Sequence, residues 1–175
     1  MRALVVYESM FGNTKRVAEA IGRGLSTHVV TEVVEVGAAP ETITEDVDLV
    51  VVGGPTHAFG LSSPRTRDAA AAQSTTPVVS QDKGVREWAA CLHPHADRLL
   101  VATFDTHVDK EWLPGAASKR LEKMLRSMGM RSIAAPTSFY VHDTSGPLLG
   151  GEIERAELLG RRLGEELLSR HPSLA

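Results

Sequence analysis

Cysteine occurs once in 175 residues, at Cys91. It cannot close an internal disulfide, so no covalent staple supports the fold, and a reducing, cytoplasmic setting is the natural expectation. Aromatic residues amount to 5% of the chain, which leaves few candidates for any ring-stacking role. An excess of charge is missing too: 19 Lys and Arg stand against 22 Asp and Glu, for a formal net charge of −3. That balance gives no basic footprint for nucleic acid and no polybasic arm for a membrane surface. After Met1-Arg2 the apolar run Ala3-Leu4-Val5-Val6 is far shorter than a signal-peptide core or a roughly 20-residue span, so no membrane insertion is expected. Repeats, low-complexity tracts and a dividing linker are absent as well. What is present is a 42% hydrophobic chain, enough to fill the core of one domain over residues 1–175.

Apolar runs of strand length alternate with stretches of helical periodicity. Ala3 to Tyr7 is apolar on both faces, as a central strand covered by helices would be. Val17, Ala18, Ile21 and Leu25 then mark one face of a helix over Thr14 to Ser26. Val29 to Val36 alternates only partly and reads as an edge strand. Leu49 to Gly54 is a third strand, of the doubly buried kind, ending in a glycine pair before Pro55. Short helices are predicted over Thr66 to Gln73 and Gly84 to Leu92, a fourth strand over Leu99 to Phe104, and a helix over Ala117 to Met128. Ser132 to Val141 reads as a fifth strand broken by a bulge or bend at Pro136. A last helix over Gly151 to Ser169 turns Ile153, Ala156, Leu159, Leu163 and Leu167 inward, with its charged residues from Glu152 to Glu166 as a solvated face. This alternation implies an α/β fold with a five-stranded parallel sheet between two helical layers. Ligands of such sheets sit beyond the carboxyl ends of the strands, which singles out the loops after Tyr7, Gly53 and Phe104.

In the first loop, hydroxyls at Ser9 and Thr14, the amide of Asn13 and the close-approach residue Gly12 open a helix, where unpaired N–H groups favour an anion such as a phosphate monoester. The same residues also suit a plain turn in which Asn13 or Thr14 caps the helix. No G-x-x-x-x-G-K-[ST] occurs, and Gly22-Arg23-Gly24 fails G-x-G-x-x-G because Thr27 holds the last place. ATP and dinucleotide binding therefore lose support.

The segment Tyr7-Glu8-Ser9-Met10-Phe11-Gly12-Asn13-Thr14, directly after the first strand, resembles the phosphate-binding loop of flavodoxins, [ST]-x-[ST]-G-[NT]-[TS]. Phe11 departs from that pattern by removing one hydroxyl. The second loop, Gly54-Pro55-Thr56-His57-Ala58-Phe59-Gly60, is similar to the segment that lies along the flavin ring in that family. The resemblance implies a three-layer sandwich with sheet order 2-1-3-4-5 and a non-covalent FMN. Ser9, Met10, Phe11, Gly12, Asn13 and Thr14 would hold the phosphate. Pro55, Thr56, His57, Ala58, Phe59 and Gly60, with Phe104, Asp105, Thr106 and His107, would hold the ring. Phe59 could cover an aromatic face or belong to the core, and His57 could donate to a reduced, anionic flavin or be solvated. Asp105 would accept from a ring N–H, and its charge would lower the reduction potential.

In the third loop the stacking Tyr usual in electron-carrying relatives is missing, since no Tyr lies between Tyr7 and Tyr140. Trp112 or His107 could stack instead, or the ring face could lie open to a substrate. The expected function is a low-potential electron carrier whose chemistry belongs to the cofactor. The small net charge and the missing Tyr point to an alternative, an FMN-dependent oxidoreductase of the quinone reductase or menaquinone-linked protoporphyrinogen oxidase type. A flavin-free interaction domain of the same fold is a further alternative, which Phe11 supports. The partner would be a redox protein or a small quinone-like molecule, and the chain a monomer or weak homodimer. His93-Pro94-His95 reads as a surface turn rather than a metal pair, Cys91 as a small buried apolar residue, and Thr144 to Leu149 as a turn at one rim of the site.

Overall fold

A computed structural model describes residues 1–57, 60–74, 77–93, 99–109 and 117–170. The elements run β1 (Arg2–Tyr7), α1 (Asn13–Leu25), β2 (Val30–Glu35), β3 (Leu49–Pro55), α2 (Pro64–Gln73), α3 (Val85–Ala90), β4 (Leu100–Val108), α4 (Ala117–Ser127), β5 (Arg131–Ser132), β6 (Thr137–Val141) and α5 (Glu152–Ser169). The sheet is parallel in the order β2-β1-β3-β4-β5, with β6 also paired to β4. This is the expected 2-1-3-4-5 arrangement, a flavodoxin-like α/β sandwich. The two segments β5 and β6 form its fifth position. Leu100 and Val101 oppose Arg131 and Ser132, and the ladder resumes at Phe104 opposite Thr137. Ile133 to Pro136 therefore stand opposite only Ala102 and Thr103, which is the interruption expected around Pro136, a residue with no N–H for the ladder.

The doubly buried character of β1 follows from its alternation. Ala3, Val5 and Tyr7 join one core with Val17, Ile21 and Leu25 of α1 and Ala156, Leu163 and Leu167 of α5. Leu4 and Val6 face the other, with Trp88 of α3 and Leu121 and Leu125 of α4. The two helices behind the first face touch backbone to backbone: a Cβ on Gly24 would lie 2.1 Å from the Glu157 carbonyl oxygen, and one on Gly160 2.1 Å from that of Ile21. β2 is the half-exposed edge that its partial alternation predicts.

Several expectations are corrected. β4 runs on through Val108 instead of ending at Phe104, because Asp105 to Val108 keep pairing with β6 and Asp105 and Thr106 also with β3. Cys91 is exposed: α3 is short, Val85, Trp88 and Ala89 take its inward positions, and Cys91 follows its last residue where the chain turns out. Glu152 is buried rather than solvated, and it accepts the Tyr140 N–H at 2.8 Å and pairs with Arg155. No helix among the described residues is long and apolar enough to cross a membrane.

Candidate functional site

The C-terminal ends of β1, β3 and β4 converge on a cleft of about 270 Å³, near the lower end of small-molecule sites. Met10, Phe11, Asn13 and Thr14 of the first loop line it together with Pro55, Thr56, His57, Thr106 and His107. The first and second loops, about forty residues apart in sequence, thus line one cleft with the end of β4; Ser9 is fully buried, and Ser9, Gly12 and Gly60 are not among the residues that line it.

The loop from Ser9 to Thr14 is built as an anion cradle. Ser9 Oγ accepts from the Gly12 N–H at 3.1 Å and the Lys15 N–H at 3.3 Å, and the oxygen still has its own proton to donate. Gly12 is the residue before α1 and holds φ +85°, where a side chain is strained, and a Cβ there would meet nothing within 4 Å. Gly12 offers the helix no side-chain cap and its first turn holds no acidic residue; Ser9 Oγ takes the Lys15 N–H, and no carboxylate of the first turn offsets the helix's positive end. Neither Asn13 nor Thr14 is the cap. Asn13 Nδ2 donates to the Ser145 carbonyl at 2.9 Å, tying the loop to the 143–148 turn. Thr14 Oγ1 is 2.8 Å from Thr106 Oγ1, tying it to β4. Behind the loop, the Ser9 N–H donates to Ser80 Oγ at 3.0 Å and the Val79 N–H to the Met10 carbonyl at 3.1 Å. This donor set, an open glycine position at an uncapped helix start with hydroxyl and amide groups around it, fits a phosphate monoester.

The second loop is closed by paired backbone bonds, His57 N to Gly60 O and Gly60 N to His57 O, both 2.8 Å. Gly60 is buried beneath Arg120, whose Nη1 would lie 2.6 Å from a Cβ there. Ala58 and Phe59 lie outside the described residues, as does Trp112. Thr56 Oγ1 accepts the Ala117 N–H at 3.0 Å and so caps α4. Burial, and then the nearby Arg67 charge, push the His57 imidazole below its ordinary value even though it is bonded to the Thr66 backbone; the ring is neutral at pH 7.

Phe104 and Asp105 belong behind the cleft rather than along a ring edge. Phe104 is fully buried, edge-on to Phe139 at 6.2 Å and pressed onto Gly53, whose Cβ would fall 2.3 Å from its ring. Asp105 is equally buried. Its Oδ2 accepts the Ser118 N–H at 2.8 Å and the Ser118 hydroxyl at 2.6 Å, and its Oδ1 lies 3.0 Å from His107 Nδ1. Burial alone would raise this carboxyl; the bonds from His107 and Ser118 outweigh it and hold the group below the usual range. The carboxylate, expected as an acceptor for a ligand N–H, is bonded to α4 and His107 and is not among the residues that line the cleft. His107 lines the cleft, its ring edge-on to Tyr140 at 5.1 Å.

A second buried polar group sits under the cleft. Glu8 Oε2 accepts the Val85 N–H at 2.9 Å, and Arg67, almost fully buried, reaches Ser62 and Glu87 at 3.0 Å each. Glu8 Oε1 and Arg67 Nε have no hydrogen-bond partner among the described residues. Burial pushes the Glu8 carboxyl up, against the bonds from Ser62 and Val85 and the Arg67 charge. Arg67 anchors α2, whose Thr66, Ala69, Ala70 and Gln73 form a wall of the cleft that the sequence reading did not assign. Its start was readable from Ser63-Pro64-Arg65-Thr66, a reciprocal cap with proline at the first helical position. Thr144, expected at a rim, does line the cleft. Among the described residues no cluster of His, Cys, Asp and Glu is suited to a metal ion; Pro94 and His95 lie outside them.

The sequence profile of the family described as Flavodoxin matches residues 5–160. A flavodoxin from the domain Archaea superposes with a TM-score of 0.65 at 20% identity, covering 95% of this chain and 99% of that one. Oxidised Flavodoxin 1 from Bacillus cereus gives 0.65 at 17% identity, with 97% and 98% covered. A flavodoxin, WrbA-like protein from Agrobacterium tumefaciens gives 0.58 at 19% identity, with 96% and 98% covered. A search of curated protein sequences returns no match.

Proposed function

This chain belongs to the flavodoxin family, and from that premise we propose that it binds one FMN without a covalent link and serves as a low-potential electron carrier. The observation that carries the reading is the cleft in which Met10, Phe11, Asn13 and Thr14 of the first loop meet Pro55 to His57 and Thr106 to Val108. The cradle would take the phosphate through Ser9, the amide side of Asn13 and the start of α1. Pro55 to His57 and Thr106 to Val108 would flank the ring, and the bound FMN would supply the redox chemistry. His57, neutral at pH 7, would contribute hydrogen bonding and shape without a fixed charge.

One observation favours a second reading, an FMN-dependent oxidoreductase acting on a small quinone-like molecule. A carrier needs no proton-active side chain, yet His107 lines the cleft with the buried Asp105 carboxylate at its Nδ1. The near balance of charge also gives little long-range steering toward a basic partner protein.

The absorption spectrum of the purified protein, with one equivalent of FMN added if it is colourless, tests the shared premise. Bound flavin with resolved, shifted bands supports it, and no binding overturns both readings in favour of a flavin-free domain. Anaerobic NAD(P)H then separates the two: slow oxidation without turnover supports the carrier, and rapid oxidation that depends on an added quinone supports the enzyme.

A further inference from the structure

The Asp105–His107 pair is placed as a proton device at the cleft and is not needed for holding the fold's phosphate cradle. Residues 105 and 107 share one face of β4, the first fully buried and the second partly open to the cleft. With Nδ1 directed at Asp105 Oδ1, 3.0 Å away, the nitrogen left for exchange with a ligand is Nε2. Asp105 is kept ionised and immobile by two bonds from Ser118 at the start of α4, so it fixes the ring's tautomer and faces the charge that forms when Nε2 is protonated. His57, the other imidazole lining the cleft, has no carboxylate bonded to it among the described residues, and the Arg67 charge acts on it.

We propose that His107 takes up a proton at Nε2 when a flavin bound in this cleft is reduced, making reduction a two-electron, two-proton event. The proposal rests on FMN binding but not on the choice between carrier and enzyme. Two electrons from an external reductant and one solvent proton convert oxidised FMN to its anionic reduced form, and a second solvent proton converts the His107 imidazole to imidazolium. A quinone-type acceptor could then receive a hydride from the ring and the Nε2 proton on its oxygen, which returns oxidised FMN and neutral His107. Among the described residues, the charged or titratable groups around His107 are Asp105 on its own strand, Asp109 just past its end, Tyr140 beside it on β6 and Arg155 of α5 over Tyr140. His57 lies across the cleft, and Arg120 of α4 lies beside Gly60.

The test is the two-electron midpoint potential of the FMN-loaded protein as a function of pH between about 7 and 8, above the ordinary histidine value. The expected slope corresponds to two protons per two electrons in the wild type and to one in His107→Gln. A readout that does not depend on any variant's folding is the ¹⁵N spectrum of histidine-labelled wild-type holoprotein, in which both His107 ring nitrogens should carry protons only after reduction. Equal slopes in wild type and His107→Gln, or a His107 that stays neutral in the reduced wild type, overturns the proposal while FMN binding stands. A wild type that binds no FMN overturns this proposal together with the proposed function.

Discussion

Replacing Gly160 by Ala sets two effects of opposite sign against each other. Helix propensity alone favours the change by about 1 kcal/mol, because Gly160 is interior to α5. Packing opposes it. The new Cβ would lie 2.1 Å from the Ile21 carbonyl oxygen, 2.9 Å from the Ile21 carbonyl carbon and 2.9 Å from the Leu25 nitrogen, all backbone atoms of α1 that cannot rotate aside. A carbon–oxygen contact needs about 3.3 Å, so the helices must part by about 1 Å. A gap of that size forfeits a quarter to a half of the dispersion energy at each contact, here between Ala18, Ile21 and Leu25 on one side and Ala156, Leu163 and Leu167 on the other. Overpacking costs about 3 kcal/mol at the upper end of its usual range, which applies when no side chain can yield. The net is a loss of about 2 kcal/mol, which for a domain of this size lowers Tm by about 4 to 8 °C. Thermal unfolding of the apoprotein, followed by circular dichroism and tryptophan fluorescence, measures it. An unchanged or raised Tm would refute the described crossing of α1 and α5, and with it the placement of the helix whose start forms the anion cradle.

Ser9→Ala removes a buried oxygen that accepts the Gly12 and Lys15 N–H groups and with it one bond to a charged phosphate, at about 1.5 to 3 kcal/mol; it should lower Tm and weaken FMN binding about 10-fold or more in a fluorescence titration. Asp105→Asn replaces a buried acceptor of three donors by a group that must turn an amide toward Ser118 or His107, and urea unfolding at pH 7 should show a loss of about 2 to 4 kcal/mol. Because the folded carboxyl lies below its ordinary value, the wild-type contribution is present at neutral pH and lost as pH falls through the folded value, so the gap between wild type and variant should close below about pH 4. Glu8 carries the opposite sign: its folded value is raised, so its ionisation erodes stability as pH climbs past the ordinary carboxylate range. Glu8→Gln should therefore be more stable than wild type at pH 7 and equal to it near pH 4, by the same unfolding assay.

The framework was legible where hydrophobic pattern alone decides structure. The two-faced apolar run of β1, the half-alternating β2 and the stop at Pro136 each name a position in the sheet, because a strand's burial on two faces, one face or an edge is written in its period. The cradle was legible because glycine at a left-handed position and hydroxyls before a helix are local requirements. The end of β4 was not. Asp is depleted in strands, so the apolar run stops at Phe104, and only pairing with β3 and β6 carries the strand to Val108. That extension turns Phe104 into the core, buries Asp105 against Ser118 and aligns it with His107, a relation visible only once the three residues are known to alternate. The α2 wall was hidden for a different reason. Its Arg, Thr and Ala residues carry little apolar periodicity, and its anchor is the polar contact of Arg67 with Ser62 and Glu87.

The central claim is that residues 9–14 cradle a phosphate at one end of a cleft whose other end takes a flavin ring. Isothermal titration of the apoprotein with FMN and, separately, with riboflavin tests it most directly, because the two ligands differ only in that phosphate. The account predicts one FMN per chain and riboflavin bound at least about 100-fold more weakly, since charge-assisted bonds from the cradle are lost. Equal affinity for the two ligands, or no binding of FMN at all, would contradict it.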